Sequence, residues 1–177
     1  MTRNPLFLAA LAFSLLLGGC SNRSLGNKID DQFIEPDVAK AVSNAHADLT
    51  SPTSHIVVTA YNGVILLAGQ TPRVELKEKA DQIARTVRGV RKVHNEIQVL
   101  QPSSALARSN DAALTTKIKA QMLFDSNVPS SRIKVVTENG IVYLMGLVTR
   151  AEGANATNVV QGVSGVQRIV KLFQYTN

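Results

Sequence analysis

The 177-residue chain has few of the residues on which several classes of protein depend. It has one cysteine, so no disulfide can form within the chain. Tryptophan is absent and aromatic residues make up 5% of the chain, which disfavours a base-stacking nucleic-acid surface and a large aromatic ligand pocket. The three histidines have no cysteine partner and form no close pair. We therefore expect no metal, no cofactor and no nucleic-acid partner.

Sequence motifs of catalysis are lacking as well. The chain contains no glycine-rich phosphate loop, no serine in a nucleophile elbow and no His-Glu zinc helix. Glu75, Glu78 and Asp81 alternate with lysines, which is typical of ion pairs on an exposed helix face. We expect a protein that is not an enzyme and has no catalytic residues.

The composition that is present is that of a folded protein with a modest positive charge. Hydrophobic residues make up 45% and charged residues 18%, which is typical of globular domains. The formal charge of +6 favours anionic surfaces such as lipid headgroups, nucleic acid or acidic polymers. Charge alone does not choose among these partners.

The first twenty residues have the pattern of an export signal. Arg3 precedes an apolar run from Pro5 to Leu17 that is too short to span a bilayer. The run ends in Leu17-Gly18-Gly19-Cys20, which resembles the lipobox of bacterial lipoproteins. This predicts a signal peptide over residues 1–19, lipidation of Cys20 and an irregular lipidated tether over residues 20–35. An ordinary signal peptide with a chance cysteine is the alternative.

Lipidation would decide where the mature chain resides. Two or more acyl chains, each buried methylene contributing about 0.8 kcal/mol, hold a protein on a membrane almost permanently. Ser21 follows the cysteine where an aspartate would signal retention, by resemblance to lipoprotein sorting in enterobacteria. We therefore expect an anchor in the inner leaflet of the outer membrane, with the protein facing the periplasm.

An internal repeat determines the expected architecture. The stretch from Ile56 to Gly69 matches that from Ile133 to Gly146 at a constant offset of 77 residues. In each copy two β-branched runs flank an Asn-Gly pair, which predicts a tight hairpin. Flanking apolar periodicity adds a helix before the hairpin, and a helix and a strand after it. Each copy therefore has the order α-β-β-α-β.

The repeat also sets the expected boundaries. Pro36 and the stripe that follows it predict that the first helix starts there and runs from Asp37 to Leu49. The first domain spans residues 36–100, a linker spans residues 101–110 and the second domain spans residues 111–177. Gly153 and several other poor helix formers predict a weak second helix, over residues 152–164, in the second copy.

This tandem unit resembles the BON domain, and more narrowly the dual-BON outer-membrane lipoproteins of the DolP type. The residues that carry the resemblance are the turn and glycine motif Asn139 to Gly146 and the stretch Val163 to Ile169. The resemblance implies an α+β fold in which two helices pack on a three-stranded mixed sheet. It also implies a non-enzymatic envelope protein that supports outer-membrane integrity and binds anionic phospholipid through the first helix of its second domain.

The matching helix supplies the candidate phospholipid site. Its residues are Ala113, Lys117, Ile118, Lys119, Ala120 and Phe124. Read from the sequence alone, Lys117 meets a lipid phosphate while Phe124 enters the headgroup layer, or else Phe124 closes the core and Lys117 is only solvated. The family carries a tryptophan near the start of this helix where this chain has Ala113, which removes an interfacial anchor.

A basic cluster in the first copy offers another surface. It consists of Arg85, Arg88, Arg91 and Lys92 at the end of a predicted helix. Cations at a helix C-terminus are stabilised by the helix dipole, so we interpret the cluster as a solvated helix end. A periplasmic adaptor that docks on outer-membrane assembly proteins, through this cluster or a hairpin edge, is the alternative function.

The lipobox yields the first prediction. Cys20→Ala is expected to abolish membrane retention, because the anchor depends on that thiol. The wild type should incorporate labelled palmitate and pellet with membranes, whereas the variant should do neither. A wild type that stays unlabelled and washes off membranes would show that the lipoprotein assignment is wrong.

Overall fold

The computed structural model describes residues 25–176, with side chains from Asp31 onward. The signal peptide and Cys20 therefore lie outside the described residues. In chain order the helices and strands are α1 (Leu25–Ala45), β1 (His55–Tyr61), β2 (Val64–Thr71), α2 (Val74–Thr86), β3 (Lys92–Asn95), β4 (Gln98–Val99), α3 (Ala105–Phe124), β5 (Ile133–Glu138), β6 (Ile141–Val148), α4 (Arg150–Gln161) and β7 (Arg168–Tyr175). Short 3-10 helices cover Ala47–Leu49 and Ser130–Arg132.

Both copies fold as the α-β-β-α-β order predicts. In each, an antiparallel hairpin is extended by parallel pairing of its second strand with the last strand of the domain. The last strand of the first domain is broken into β3 and β4, both paired with β2, whereas β7 is continuous. The helices of each domain pack on one face of its sheet and bury the two separate cores there.

The hairpin turns have the conformation that their Asn-Gly sequence predicts. Asn62 and Gly63 have φ angles of 50° and 72°, and Asn139 and Gly140 have φ angles of 51° and 72°. Two successive positive φ angles define the turn that matches the twist of a two-residue hairpin. Each turn then directs its backbone N–H groups toward the first helix of its own domain.

One aspartate on that helix holds each turn. Asp111 Oδ2 and Oδ1 accept hydrogen bonds from the backbone N–H groups of Asn139 and Gly140, at 2.8 and 2.9 Å. In the first domain Asp31 accepts the equivalent bonds from Asn62 and Gly63, at 2.7 and 2.9 Å. Both carboxylates are buried, and bonds to an ionised acceptor are stronger than neutral ones. Helix and hairpin are therefore joined at the same point in both domains.

The first helix begins earlier than the sequence predicts. Residues 25–35 are helical, not an irregular tether, and Pro36 lies inside α1 instead of starting it. Proline removes one helical hydrogen bond, but Ile34 and Val38 are buried in the same core on either side of it. Glu35 Oε2 also accepts a bond from Ala60 N at 2.8 Å. These tertiary contacts outweigh the local preference of the proline.

The linker prediction is wrong for the same kind of reason. Helix α3 starts at Ala105, where Ser104 caps it by accepting a hydrogen bond from Ala107 N at 3.1 Å. The loop between the domains is therefore confined to residues 100–104. The composition of the segment suggested a loop, but serine followed by Ala-Leu-Ala is also a helix start.

Helix α4 forms despite its poor helix formers. Thr149 and Glu152 make a capping box at its first turn, with bonds of 2.7 and 3.2 Å. Gly153 lies against the rings of Phe173 and Tyr175, so a side chain there would collide with them. The glycine that lowers the helix propensity is the residue that lets α4 approach the sheet.

The second faces of the two sheets pack against each other. Residues of both domains form this third cluster, among them Tyr61, Leu66, Tyr143 and Met145. Tyr61 Oη donates to Arg132 O and accepts from Leu147 N, at 2.9 and 3.1 Å. Those two residues lie at the open end of the second hairpin. The turn of the first hairpin is therefore beside the open end of the second.

The second hairpin turn is placed reciprocally. Asn139 Nδ2 lies 3.5 Å from Gln98 Oε1, and Glu138 lies beside His55, at the open end of the first hairpin. The two hairpins thus run in opposite directions across the interface. Their turns are separated by about eight residues of strand, or roughly 25 Å at 3.3 Å per residue.

The turn-holding carboxylate gives a stability prediction. Asp111→Ala removes two charge-assisted bonds and leaves two turn N–H groups without an acceptor, so we expect a loss of about 3 kcal/mol. Urea unfolding followed by circular dichroism measures the change. Asp37→Ala, an exposed aspartate on α1, is the control and should shift stability by less than about 0.5 kcal/mol. Equal effects of the two substitutions would contradict the role assigned to Asp111.

Candidate functional site

A groove lies beside each hairpin turn, between the first helix and the loop that follows the second helix. The groove of the second domain has a volume of about 470 Å³ and that of the first about 440 Å³. In each, the residue after the second helix donates its N–H to the turn glycine: Gln167 N to Gly140 O at 2.9 Å, and Arg91 N to Gly63 O at 2.8 Å. The two backbones are therefore equivalent, and the side chains at the rim distinguish them.

The groove of the second domain contains two of the predicted site residues. Ala113 and Lys117 line it together with Leu114, Ser164 and Gln167. The aliphatic end of Gln167 crosses Gly140 so closely that a Cβ on the glycine would lie 2.8 Å from it. Within the described part of this rim, Lys117 supplies the positive charge.

The other predicted residues are divided among different surfaces. Ala113, Lys117, Ala120 and Phe124 are exposed and follow the spacing of one helix side, as expected. Lys119 is exposed too, but two residues from Lys117 correspond to about 200° around the helix, so it lies on another side.

Ile118 is a correction. Its side chain is 0% exposed and packs in the core of the second domain with Met122 and Val142. A residue that points into the core cannot contact a phospholipid, so Ile118 is removed from the candidate surface. Its place in the apolar stripe of the helix already indicated this position.

The alternative in which Phe124 closes the core is wrong. Phe124 is 89% exposed at the end of α3, and its neighbour Leu123 is 72% exposed. Leu106, five turns earlier on the same helix side, is also 72% exposed. Sequence reasoning missed Leu106 because it lay in the expected linker, and Leu123 because it follows neither the core stripe nor the Lys117 side. Helix α3 thus presents several large apolar groups to solvent.

The first-domain groove contains residues that the sequence analysis did not bring together. Phe33, 66% exposed, lies at its rim with Asp37, Arg88 and Arg91. Phe33 was missed because residues 20–35 were taken as tether. The pattern Asp31, Ile34, Val38 and Val42, which repeats at an offset of 80 as Asp111, Leu114, Ile118 and Met122, was the signal that could have found it.

The basic cluster at the end of α2 is split by these contacts. Arg85 is bound to Asp81 at 2.7 Å, and that hydrogen bond raises the pKa of its guanidinium. This arginine fits the interpretation of a solvated helix end. Arg88 and Arg91 line the groove instead, and among the described residues neither guanidinium forms an ion pair.

The most strongly perturbed carboxylate lies at the domain interface. Burial, and then the charge of Asp111, raise the pKa of Glu138 to about 7. Its Oε2 lies 3.5 Å from His55 Nε2, and the nearby Gln70 amide favours the ionised form although its geometry falls outside an ordinary hydrogen bond. Burial and the charge of Arg108 lower the pKa of His55. This cluster joins the domains and lies outside both grooves.

Neither catalysis nor metal binding is supported by these groups. Among residues 31–176, no three His, Cys, Asp or Glu side chains are grouped so that they could hold a metal ion. In the described range, no helix is both long and apolar enough to cross a membrane. What the described surface offers is exposed apolar side chains beside cations.

The BON-domain sequence profile matches residues 30–101 and 110–177. The chain belongs to the BON-domain family. Both copies are covered by this match, which confirms the predicted tandem α+β architecture. The first match starts within the helical segment that the sequence analysis had assigned to the tether.

Three relatives are similar over most of the chain. Outer membrane lipoprotein DolP of Haemophilus influenzae is 36% identical over 153 residues, which cover 86% of this chain and 78% of that protein. The 21 kDa hemolysin of Actinobacillus pleuropneumoniae is 37% identical over the same shares. Osmotically-inducible protein Y of Escherichia coli is 32% identical over 84% of this chain and 74% of that protein. The family confirms that this BON-domain chain is not an enzyme.

The buried carboxylate predicts a pH dependence of stability. Glu138 titrates near 4.5 when unfolded and near 7 when folded, so the folded chain binds the extra proton between these values. The free energy of unfolding should therefore fall as pH rises from 4.5 to 7, by on the order of 3 kcal/mol for the full shift, and level off above. Urea unfolding at stepped pH measures this slope.

Glu138→Gln isolates the Glu138 contribution. The lowered pKa of His55 makes the unfolded chain bind the proton more readily, so His55 contributes a slope of opposite sign below pH 6.5. Because Glu138→Gln removes one titration and leaves the histidine, the slope of the wild type minus that of the variant should be negative between pH 4.5 and 7. Identical slopes would contradict the raised pKa.

Proposed function

We propose that this chain is a lipid-anchored outer-membrane protein that binds anionic phospholipid through its second BON domain and supports outer-membrane integrity. The similarity to a protein named outer membrane lipoprotein DolP supports the location, as does the lipobox that ends at Cys20. The anchor places the chain in the inner leaflet, facing the periplasm, where phospholipid headgroups are the nearest anionic surface.

The observation that carries the phospholipid proposal is the exposure of Phe124 on the same side of α3 as Lys117. An aromatic ring that is 89% exposed contributes nothing to the core, and it can enter the interface between headgroups and acyl chains. Lys117, two turns earlier, would then lie at the level of the phosphates, where one cation contributes about 1 kcal/mol. Leu123 and Ala120 extend the apolar contact.

The rim of this groove also indicates how strong the binding is. Ala113 presents only a methyl group where the family carries an indole, so the interaction depends on one lysine, Phe124 and Leu123. A contact with so much electrostatic weight is screened by salt, since the Debye length falls from about 10 Å at 0.1 M to 3 Å at 1 M. The proposed binding is therefore reversible, while the acyl chains of Cys20 provide the permanent attachment.

Lys117→Glu is the test of this proposal. The mature chain carrying Cys20→Ser would be titrated with vesicles of phosphatidylglycerol and phosphatidylcholine. Charge reversal should weaken binding by about 2 kcal/mol, or roughly thirtyfold, and Ala113→Trp should tighten it. Lys79→Glu makes the same charge change on exposed α2 and should have an effect of less than about threefold. Binding that is equal on pure phosphatidylcholine, or unaffected by Lys117→Glu, would show that the proposal is wrong.

Docking on outer-membrane assembly proteins is the second candidate function, and one observation favours it. Strand β7 pairs with β6 and forms an edge of its sheet over eight continuous residues. An uninterrupted edge can accept a strand from a partner. A photocrosslinker at Lys171, which is exposed on β7, should capture an assembly protein in cells if this is the function. Its absence from the captured material would exclude docking at this edge.

A further inference from the structure

We propose that the groove of the first domain is a second phospholipid site, in which Arg88 and Arg91 bind the phosphate of an anionic lipid and Phe33 enters the membrane interface. The chemistry of this site is independent of the site on α3, while its location relative to the membrane rests on the proposed anchor at Cys20.

The two grooves share one backbone and differ at four rim positions. The equivalence follows from the aspartate that holds each turn, since Asp31 and Asp111 make the same two bonds. Counting from these residues and from the turn glycines, the matched rim pairs are Phe33 and Ala113, Asp37 and Lys117, Arg88 and Ser164, and Arg91 and Gln167. The first domain therefore has the aromatic residue and two arginines where the second has alanine, serine and glutamine.

The two arginines are available for an anion. Among the described residues neither forms an ion pair, and both are exposed at the groove. Arg91 is also positioned: its N–H is bound to Gly63 O at 2.8 Å, and its side chain crosses the glycine so that a Cβ there would lie 2.8 Å from Cδ. Guanidinium groups bind phosphate oxygens in pairs of parallel hydrogen bonds, which favours phosphate over a diffuse negative surface.

The acids in this groove are accounted for separately. Asp31 is buried, and its two oxygens accept the turn N–H groups, so it faces the protein instead of a ligand. Asp37 is exposed at the rim and opposes an anion. Two arginines against one exposed aspartate leave a positive rim. Removing the charge of Asp37 should therefore strengthen the site, a result that a merely structural role would not produce.

Phe33 identifies the source of the phosphate as a membrane. An aromatic side chain that is 66% exposed is a costly feature on a soluble surface, but it is favoured at the boundary between headgroups and acyl chains. A site for free phosphate would need only the arginines. The juxtaposition of one exposed ring with two unpaired guanidiniums is the pattern expected of a headgroup site.

The chain path places this groove near the anchor. From Cys20 to Leu25 the chain extends at most about 17 Å, and the helix rises about 12 Å from Leu25 to Phe33. Phe33 thus lies within roughly 30 Å of the lipidated residue. The other groove is beside the opposite hairpin turn, so the headgroups of the anchoring membrane are within the reach of the first domain.

The test removes each site separately in the mature Cys20→Ser chain. Arg88→Ser combined with Arg91→Gln installs the residues found in the second domain and so should not disturb the fold, which circular dichroism would verify. In a Lys117→Glu background, we expect this double substitution to weaken binding to phosphatidylglycerol vesicles at least tenfold. Phe33→Ala should weaken it several-fold, and Asp37→Asn should tighten it. Lys79→Gln with Lys171→Gln removes the same charge outside both grooves and should change binding less than threefold.

The outcomes separate the two sites and the two sources of phosphate. If the arginine pair behaves like the lysine control, this inference is overturned whatever Lys117→Glu does. If the arginine pair weakens binding while Lys117→Glu is silent, this site stands and the proposed site on α3 fails. If inorganic phosphate at millimolar concentration displaces the vesicles and Phe33→Ala has no effect, the groove binds free phosphate and the membrane assignment is wrong.

Discussion

Each domain depends on one carboxylate that joins a helix to a hairpin turn. The Asn-Gly turn has positive φ at both residues, which directs two adjacent backbone N–H groups toward the helix. Asp111 in one domain and Asp31 in the other satisfy these donors with both of their oxygens. Without such an acceptor two buried donors would lose their hydrogen bonds. The bond also sets the helix at a fixed distance from the turn, and this gap is the groove.

The pairing of the domains uses the residue that precedes each turn, in two different ways. Tyr61 reaches the open end of the other hairpin and satisfies its hydroxyl with a carbonyl and an N–H group. Its counterpart in the repeat is Glu138, 77 residues later, which is buried beside His55 with a raised pKa. The tyrosine is fully satisfied, whereas the carboxylate carries a desolvation cost. The repeat therefore kept the geometry of the interface and allowed one position to become sensitive to protonation.

The two domains also show how a duplicated scaffold diverges. The buried positions of the first helices keep their chemistry at an offset of 80 residues, because each must fill a core and hold a turn. The rim positions point to solvent and are free to change, and the first groove has acquired two arginines and a phenylalanine. A surface for binding is altered here by substitution at rim positions on a backbone that stays constant.

Local chemistry was enough to predict the hairpins and most of the strands. Asn-Gly between β-branched runs specifies the turn, and the repeat made each assignment twice. The helix ends were predicted less well. Residues 25–35 have no strong apolar periodicity of their own, and Pro36 favours a helix start, so only the contacts of Asp31, Ile34 and Glu35 with the hairpin reveal the true extent of α1. Likewise Gly153 lowers helix propensity, and its role appears only where the rings of Phe173 and Tyr175 pack against it.

The candidate site divides in the same manner. The sequence by itself determined the lipobox, the tandem repeat, the turn type and the side of α3 that carries Lys117 and Phe124, because each depends on residues close together in the chain. Tertiary structure decided that Ile118 is core, that Phe124 is exposed, and that Phe33 meets Arg88 and Arg91 across more than fifty residues of sequence. A groove between a helix and a distant loop exists only after the chain has folded, since side chains so far apart are brought together by the packing of the sheet between them.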